Sequence, residues 1–73
     1  MNRPTGGNII KIARKARGIS QELVSEMYGR SIDTVSRWER GVTQPGHDDV
    51  VMIVEDVCGI DYQDAYQMAK EAA

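Results

Sequence analysis

The reactive side chains of this chain are too few and too scattered for bond-making chemistry. There is one histidine, His47, and one cysteine, Cys58, so neither a Cys/His metal cluster nor an internal disulfide can form. No glycine-rich phosphate loop follows a strand pattern, and no His/Cys/Asp constellation stands at a catalytic spacing. With 73 residues there is room for one small core and none for a deep pocket. What remains is hydrogen-bonding and charge chemistry, and it gathers in one stretch. Ser20 to Gly41, SQELVSEMYGRSIDTVSRWERG, carries Arg30, Arg37 and Arg40 among short polar side chains. Guanidinium groups of this kind suit phosphate oxygens. The expectation is binding without catalysis, and with no metal or cofactor.

The net charge of −2 hides an asymmetry. Up to Gly41 the chain holds Arg3, Lys11, Arg14, Lys15, Arg17, Arg30, Arg37 and Arg40 against Glu22, Glu26, Asp33 and Glu39, a balance of +4. From Val42 onward only Lys70 stands against Asp48, Asp49, Glu55, Asp56, Asp61, Asp64 and Glu71, a balance of −6. A domain with a basic and an acidic half can turn a positive face to nucleic acid despite its overall sign. The acidic half offers a surface for a protein partner. The longest apolar run, Val50 to Val54, is far too short to span a bilayer. MNRPTGG at the start is followed by no signal-peptide core. A single domain in a reducing cytoplasm, with no membrane partner, is expected.

The elements that must position these side chains are helices. Ser20 is an N-cap, Glu22 supplies acid to the first turn, and Leu23, Val24, Met27 and Tyr28 are apolar, ending at Gly29. Ser31 caps the next segment, in which Ile32, Val35 and Trp38 recur every three residues before Gly41. Two helices of about eight residues joined across a glycine form the helix-turn-helix pattern. Ahead of them, residues 1–7 read as a loose arm and a helix is expected from about Asn8 to Arg17. Its stripe of Ile9, Ile12, Ala13 and Ala16 has the 3.6-residue period. Pro45 in VTQPG blocks helical continuation. A fourth helix should run from His47 or Asp48 to Cys58, with Val50, Val54, Val57 and Cys58 inward, leaving Met52 and Val51 surplus for contact between subunits. His47 reads as a surface residue and Cys58 as a small core hydrophobe. Asp61 caps a fifth helix through Tyr62, Ala65, Tyr66 and Ala69, with Met68 off the stripe.

The stretch also resembles the Cro/repressor (xenobiotic-response-element-like) helix-turn-helix family of DNA-binding transcriptional regulators. Ser20-Gln21, Gly29 and TVSRWERG (Thr34 to Gly41) carry the likeness. Arg14, Gly18-Ile19, Pro45 and Gly59-Ile60 extend it over roughly residues 6 to 66. The resemblance implies an all-α, five-helix, lambda-repressor-like domain with the motif as helices two and three. It turns Ile10 and Ala13 of helix one inward, leaving Ile9, Ile12 or Ala16 for the last helix or a partner chain. It pairs Arg14 with Glu39 as a structural tie, and puts Val24 and Tyr28 in the core with small Ser25 where the motif helices cross.

Base-reading positions of the family fall on Ser31, Ile32, Asp33 and Arg37. Arg37 can bond guanine with both arms of its fork, Asp33 can accept from cytosine N4, and Ile32 can touch a thymine methyl. Asp33 has an equal reading as a complement to the helix dipole. Phosphate positions fall on Gln21, Arg30, Ser36 and Arg40, and in the following loop on Thr43 and Gln44, where relatives often carry lysine or arginine. The implied function is a sequence-specific regulator, a repressor acting on double-stranded DNA as a homodimer over a pseudo-palindromic operator. The alternative is a protein-interaction module or antitoxin-like partner that keeps the fold and uses its acidic half.

Overall fold

A computed structural model describes residues 3–72 of the chain. Five helices follow one another, and no strand occurs among the described residues. They are α1 (Gly6–Ala16), α2 (Gln21–Tyr28), α3 (Ile32–Arg40), α4 (His47–Met52, prolonged by a π-helical turn, Ile53–Val57) and α5 (Tyr62–Ala72).

The first two residues of α1 correct the expected boundary. Thr5, not Asn8, is the N-cap, its hydroxyl accepting the Asn8 N–H at 3.2 Å. Gly6 and Gly7 therefore belong to the helix and not to the expected loose arm, of which Met1 and Asn2 lie outside the described residues. The reason is a close backbone approach. A Cβ on Gly7 would lie 1.8 Å from the Trp38 carbonyl oxygen, and one on Gly6 would lie 2.8 Å from Val50 Cγ2. The glycines let the start of α1 sit directly on the end of α3 and on α4.

The register that the resemblance implies for α1 holds, and the periodic stripe holds in part. Ile10 and Ala13 are fully buried as the resemblance implies, and Ile9 is buried too, while Ile12 is half-buried and Ala16 exposed. Packing of α5 against the second side of α1 accounts for the wider apolar face. α2 and α3 are bounded as their residues dictate. Ser20 and Ser31 cap them by accepting the N–H groups of Leu23 and Thr34 at 3.0 and 3.1 Å. Gly29 and Gly41 end them at φ 78° and 77°, where a side chain would be strained.

The fourth helix departs from a regular α pattern. Cys58 N–H bonds the carbonyl of Ile53, five residues back, at 3.0 Å, which widens the turn and carries one extra residue through it. The result is that Ile53, unassigned to the inward face from sequence, is fully buried together with Val54, while Val57 is only half-buried. The core is then Ile9, Ile10, Ala13, Val24, Val35, Trp38, Val50, Ile53, Val54, Cys58, Ala65 and Ala69, with Trp38 packed inside rather than free to stack on a base. His47 stands at the surface, edge-on to Tyr62 at 5.2 Å between ring centres.

Candidate nucleic-acid interface

α3 is two-faced, and that division builds the site. Its inner face buries Val35 and Trp38, with Glu39 beside them at 8 % exposure. Its outer face presents Ile32, Asp33, Arg37 and Arg40 to solvent, with Ser31 exposed at its head. Ile32 is 44 % exposed, which no core requirement explains.

The orientation of α3 is held by one carboxylate. Arg14 of α1 donates through Nε and Nη2 to Glu39 Oε2 and Oε1, both at 2.8 Å. Its third arm, Nη1, donates to the Ile19 carbonyl at 3.0 Å. Gln21 Nε2 donates to the same Glu39 Oε1 at 3.1 Å. Glu39 in the tail of α3 thus gathers α1 and the head of α2, and through Arg14 the α1–α2 turn is tied to the same cluster. Donation to the Glu39 carboxylate raises the Arg14 guanidinium above its already high ordinary value, against a smaller opposing effect of burial. The fork supplies angle as well as attraction. Removing one member would strand a charge in a nearly dry site, which costs about 3–5 kcal/mol in comparable pairs.

A second tie fixes the other end of α2. The Tyr28 hydroxyl donates to Asp49 Oδ1 at 2.5 Å, and the Gly46 N–H donates to Asp49 Oδ2 at 3.1 Å. Donation from Tyr28 pulls the Asp49 carboxyl below its ordinary range, with Gly46 adding to it, and raises Tyr28 above its own. Arg30 lies 3.9 Å from the same carboxylate. The Ser25 hydroxyl donates to the Arg30 carbonyl, so the small residue at the crossing also holds the turn.

Each site position has a definite setting. Arg37 Nη2 and Asp33 Oδ2 are 3.0 Å apart along the exposed face of α3. Arg40 Nε donates to Ser36 Oγ at 3.2 Å. Ser31 Oγ caps the helix and lies 2.9 Å from Thr34 Oγ1. Thr43 and Gln44 are exposed in the loop after α3. Sequence reasoning missed the Gln21–Glu39 and Tyr28–Asp49 bonds. It also missed the Asp33–Arg37 pair, although its spacing of four was a legible signal.

A family model described as helix-turn-helix matches residues 4–63. The chain belongs to the Cro/repressor-like helix-turn-helix family. Its five helices are those of the lambda-repressor type of DNA-binding domain, with α2 and α3 as the motif. Membership makes DNA binding and transcription regulation the general activity. Comparison with curated proteins and with solved structures returned no match. No described helix is long and apolar enough to cross a membrane, and no group of His, Cys, Asp or Glu among the described residues could hold a metal ion.

Proposed function

We propose that this protein is a sequence-specific repressor that occupies a pseudo-palindromic operator as a homodimer, with α3 of each subunit in a major groove. The observation that carries the reading is the outer face of α3: an arginine, a short hydroxyl and an apolar side chain exposed together on a helix whose other face is locked into the core. Arg37 addresses guanine once it exchanges Asp33 for base acceptors, and Ile32 addresses a thymine methyl. Asp33 either accepts from cytosine N4 or remains the partner of Arg37. Ser31 keeps a hydroxyl hydrogen to donate when Thr34 donates to it. Arg30, Arg40 and Ser36 face phosphates on either side. Gln21 has a second amide N–H beyond the one given to Glu39, and Thr43 and Gln44 add neutral donors.

Pairing places two recognition helices about 34 Å apart, one turn of DNA. Met52, 47 % exposed on α4, is the apolar side chain offered for contact between subunits. A second reading rests on the exposed acids Asp48, Glu55, Asp56, Asp61 and Asp64, which suit a basic protein partner.

The test is fluorescence anisotropy on the DNA upstream of the protein's own gene beside a scrambled duplex, at two salt concentrations. Preference for the upstream duplex should weaken with salt. It should shrink by about 1–3 kcal/mol in Arg37→Ala. Equal binding to both duplexes, or none at low salt, overturns operator recognition on that DNA and favours the protein-partner reading.

A further inference from the structure

Two exposed surfaces outside the recognition face of α3 match each other. The first is a groove of about 260 Å³ between α1 and α5, lined by Asn8, Lys11, Ile12, Lys15, Ala69 and Ala72. Its floor is apolar, and its α1 rim carries two lysines four residues apart. The second is the outer flank of α2, where Leu23 and Met27 are 40 % and 57 % exposed and run alongside exposed Glu22 and Glu26. Neither lysine and neither glutamate takes part in an ion pair among the described residues.

The spacing is the same on both sides. Residues four apart on a helix stand on one face with about 5–6 Å between their Cβ atoms, so Glu22/Glu26 and Lys11/Lys15 have equal pitch. Laid together, two carboxylates meet two ammonium groups while Leu23 and Met27 enter the floor made by Ile12, Ala69 and Ala72. Within one molecule they do not meet, because α2 packs on α3 and the π-helical turn whereas α5 packs on α1.

We propose that the α1–α5 groove of one copy receives the α2 flank of a second copy, a head-to-tail contact. A contact between unlike surfaces leaves one of each free, so it repeats and either closes a ring or grows a chain. It is separate from the proposed contact through Met52 and needs no DNA. It would join neighbouring bound copies and make occupation of adjacent sites cooperative.

The experiment is sedimentation of the full chain without DNA over a range of concentrations. The weight-average mass of the natural protein should rise continuously with concentration, and less steeply in high salt. The double variants Lys11→Glu/Lys15→Glu and Glu22→Lys/Glu26→Lys should each weaken association by about tenfold or more, since like charges then face each other. An equimolar mixture of the two should regain the rise, because each variant then complements the other. All four positions are exposed, and circular dichroism verifies that the helices persist. A mass that stays constant with concentration overturns the contact. So does a rise that both double variants retain, or a mixture that fails to restore it. Absence of operator binding in the anisotropy test leaves this result untouched, so the two readings fail separately.

Discussion

At the scale of single residues, the outer face of α3 carries its own restraint. Asp33 lies against Arg37, and both are more than half exposed, so the pair adds little stability in water. Under the proposed function its effect is on binding: the acid would have to be repelled by phosphate or satisfied by a base before Arg37 is released. Asp33→Ala is expected to raise affinity for scrambled duplex several-fold and to narrow the gap between operator and scrambled DNA, read by anisotropy. Unchanged scrambled-duplex affinity would mean that Asp33 does not hold Arg37 back. The Tyr28–Asp49 bond makes a second prediction, now of stability against pH. Asp49 is depressed in the folded state, so its contribution is present above the unfolded value near ~4 and is lost as pH falls through the folded value. Tyr28 is raised, so its contribution is present below about 10 and is lost as pH rises through the higher folded value. Tyr28→Phe should cost about 1 kcal/mol near neutrality. It should also flatten both ends of the stability–pH profile in urea titrations.

At the scale of elements, the seat of α1 on α3 turns on a missing methyl group. Alanine is preferred to glycine inside a helix by about 1 kcal/mol, so propensity alone favours Gly7→Ala. The added Cβ would fall 1.8 Å from the Trp38 carbonyl oxygen, and backbone cannot yield as a flexible side-chain end can. Overpacking wins, and a loss of at least about 3 kcal/mol is expected by denaturant unfolding. A neutral or stabilising result would show that α1 starts elsewhere. The π-helical turn is a second local departure with a core consequence. Its widened ring brings Ile53 inside beside Val54 and leaves Val57 at the edge. Burial also pushes the Cys58 thiol up, which makes it a packing residue and a poor nucleophile.

At the scale of the whole molecule, charge distribution sets the character of DNA binding. The proposed phosphate positions include only two full charges per subunit, Arg30 and Arg40, because the loop after α3 offers Thr43 and Gln44 instead of basic side chains. Counterion release then gives a log–log salt slope of about −3 to −4 for a dimer, shallow beside proteins that neutralise six to ten phosphates. Arg40→Ala should reduce that slope by about two per dimer, since each subunit then neutralises one phosphate fewer, with little change in sequence preference. A slope near −8 would place further lysines or arginines on the backbone. The acidic residues from Asp48 onward counter the basic half, so net charge understates what the recognition face presents.

Caps and periods are local, and the helices were legible for that reason. Ser20, Ser31, Gly29 and Gly41 mark both motif helices within a residue, since each acts on backbone groups of its own turn. The apolar stripes of α3 and α5 needed only the 3.6-residue period, and the likeness around TVSRWERG pointed from Arg14 to Glu39 across the chain. Tertiary structure decided the rest. A Gly-Gly pair reads as a flexible arm until a second backbone arrives to need the space, and nothing near residue 7 announces Trp38. The extra residue in the fourth helix answers to packing against α1 and α2, not to a local breaker. Gln21 and Tyr28 find Glu39 and Asp49 only when α2 is laid across α3 and α4. Sequence determined which segments coil and which face is apolar; the close approaches between segments determined where those faces meet, because contact depends on distances that no single helix contains.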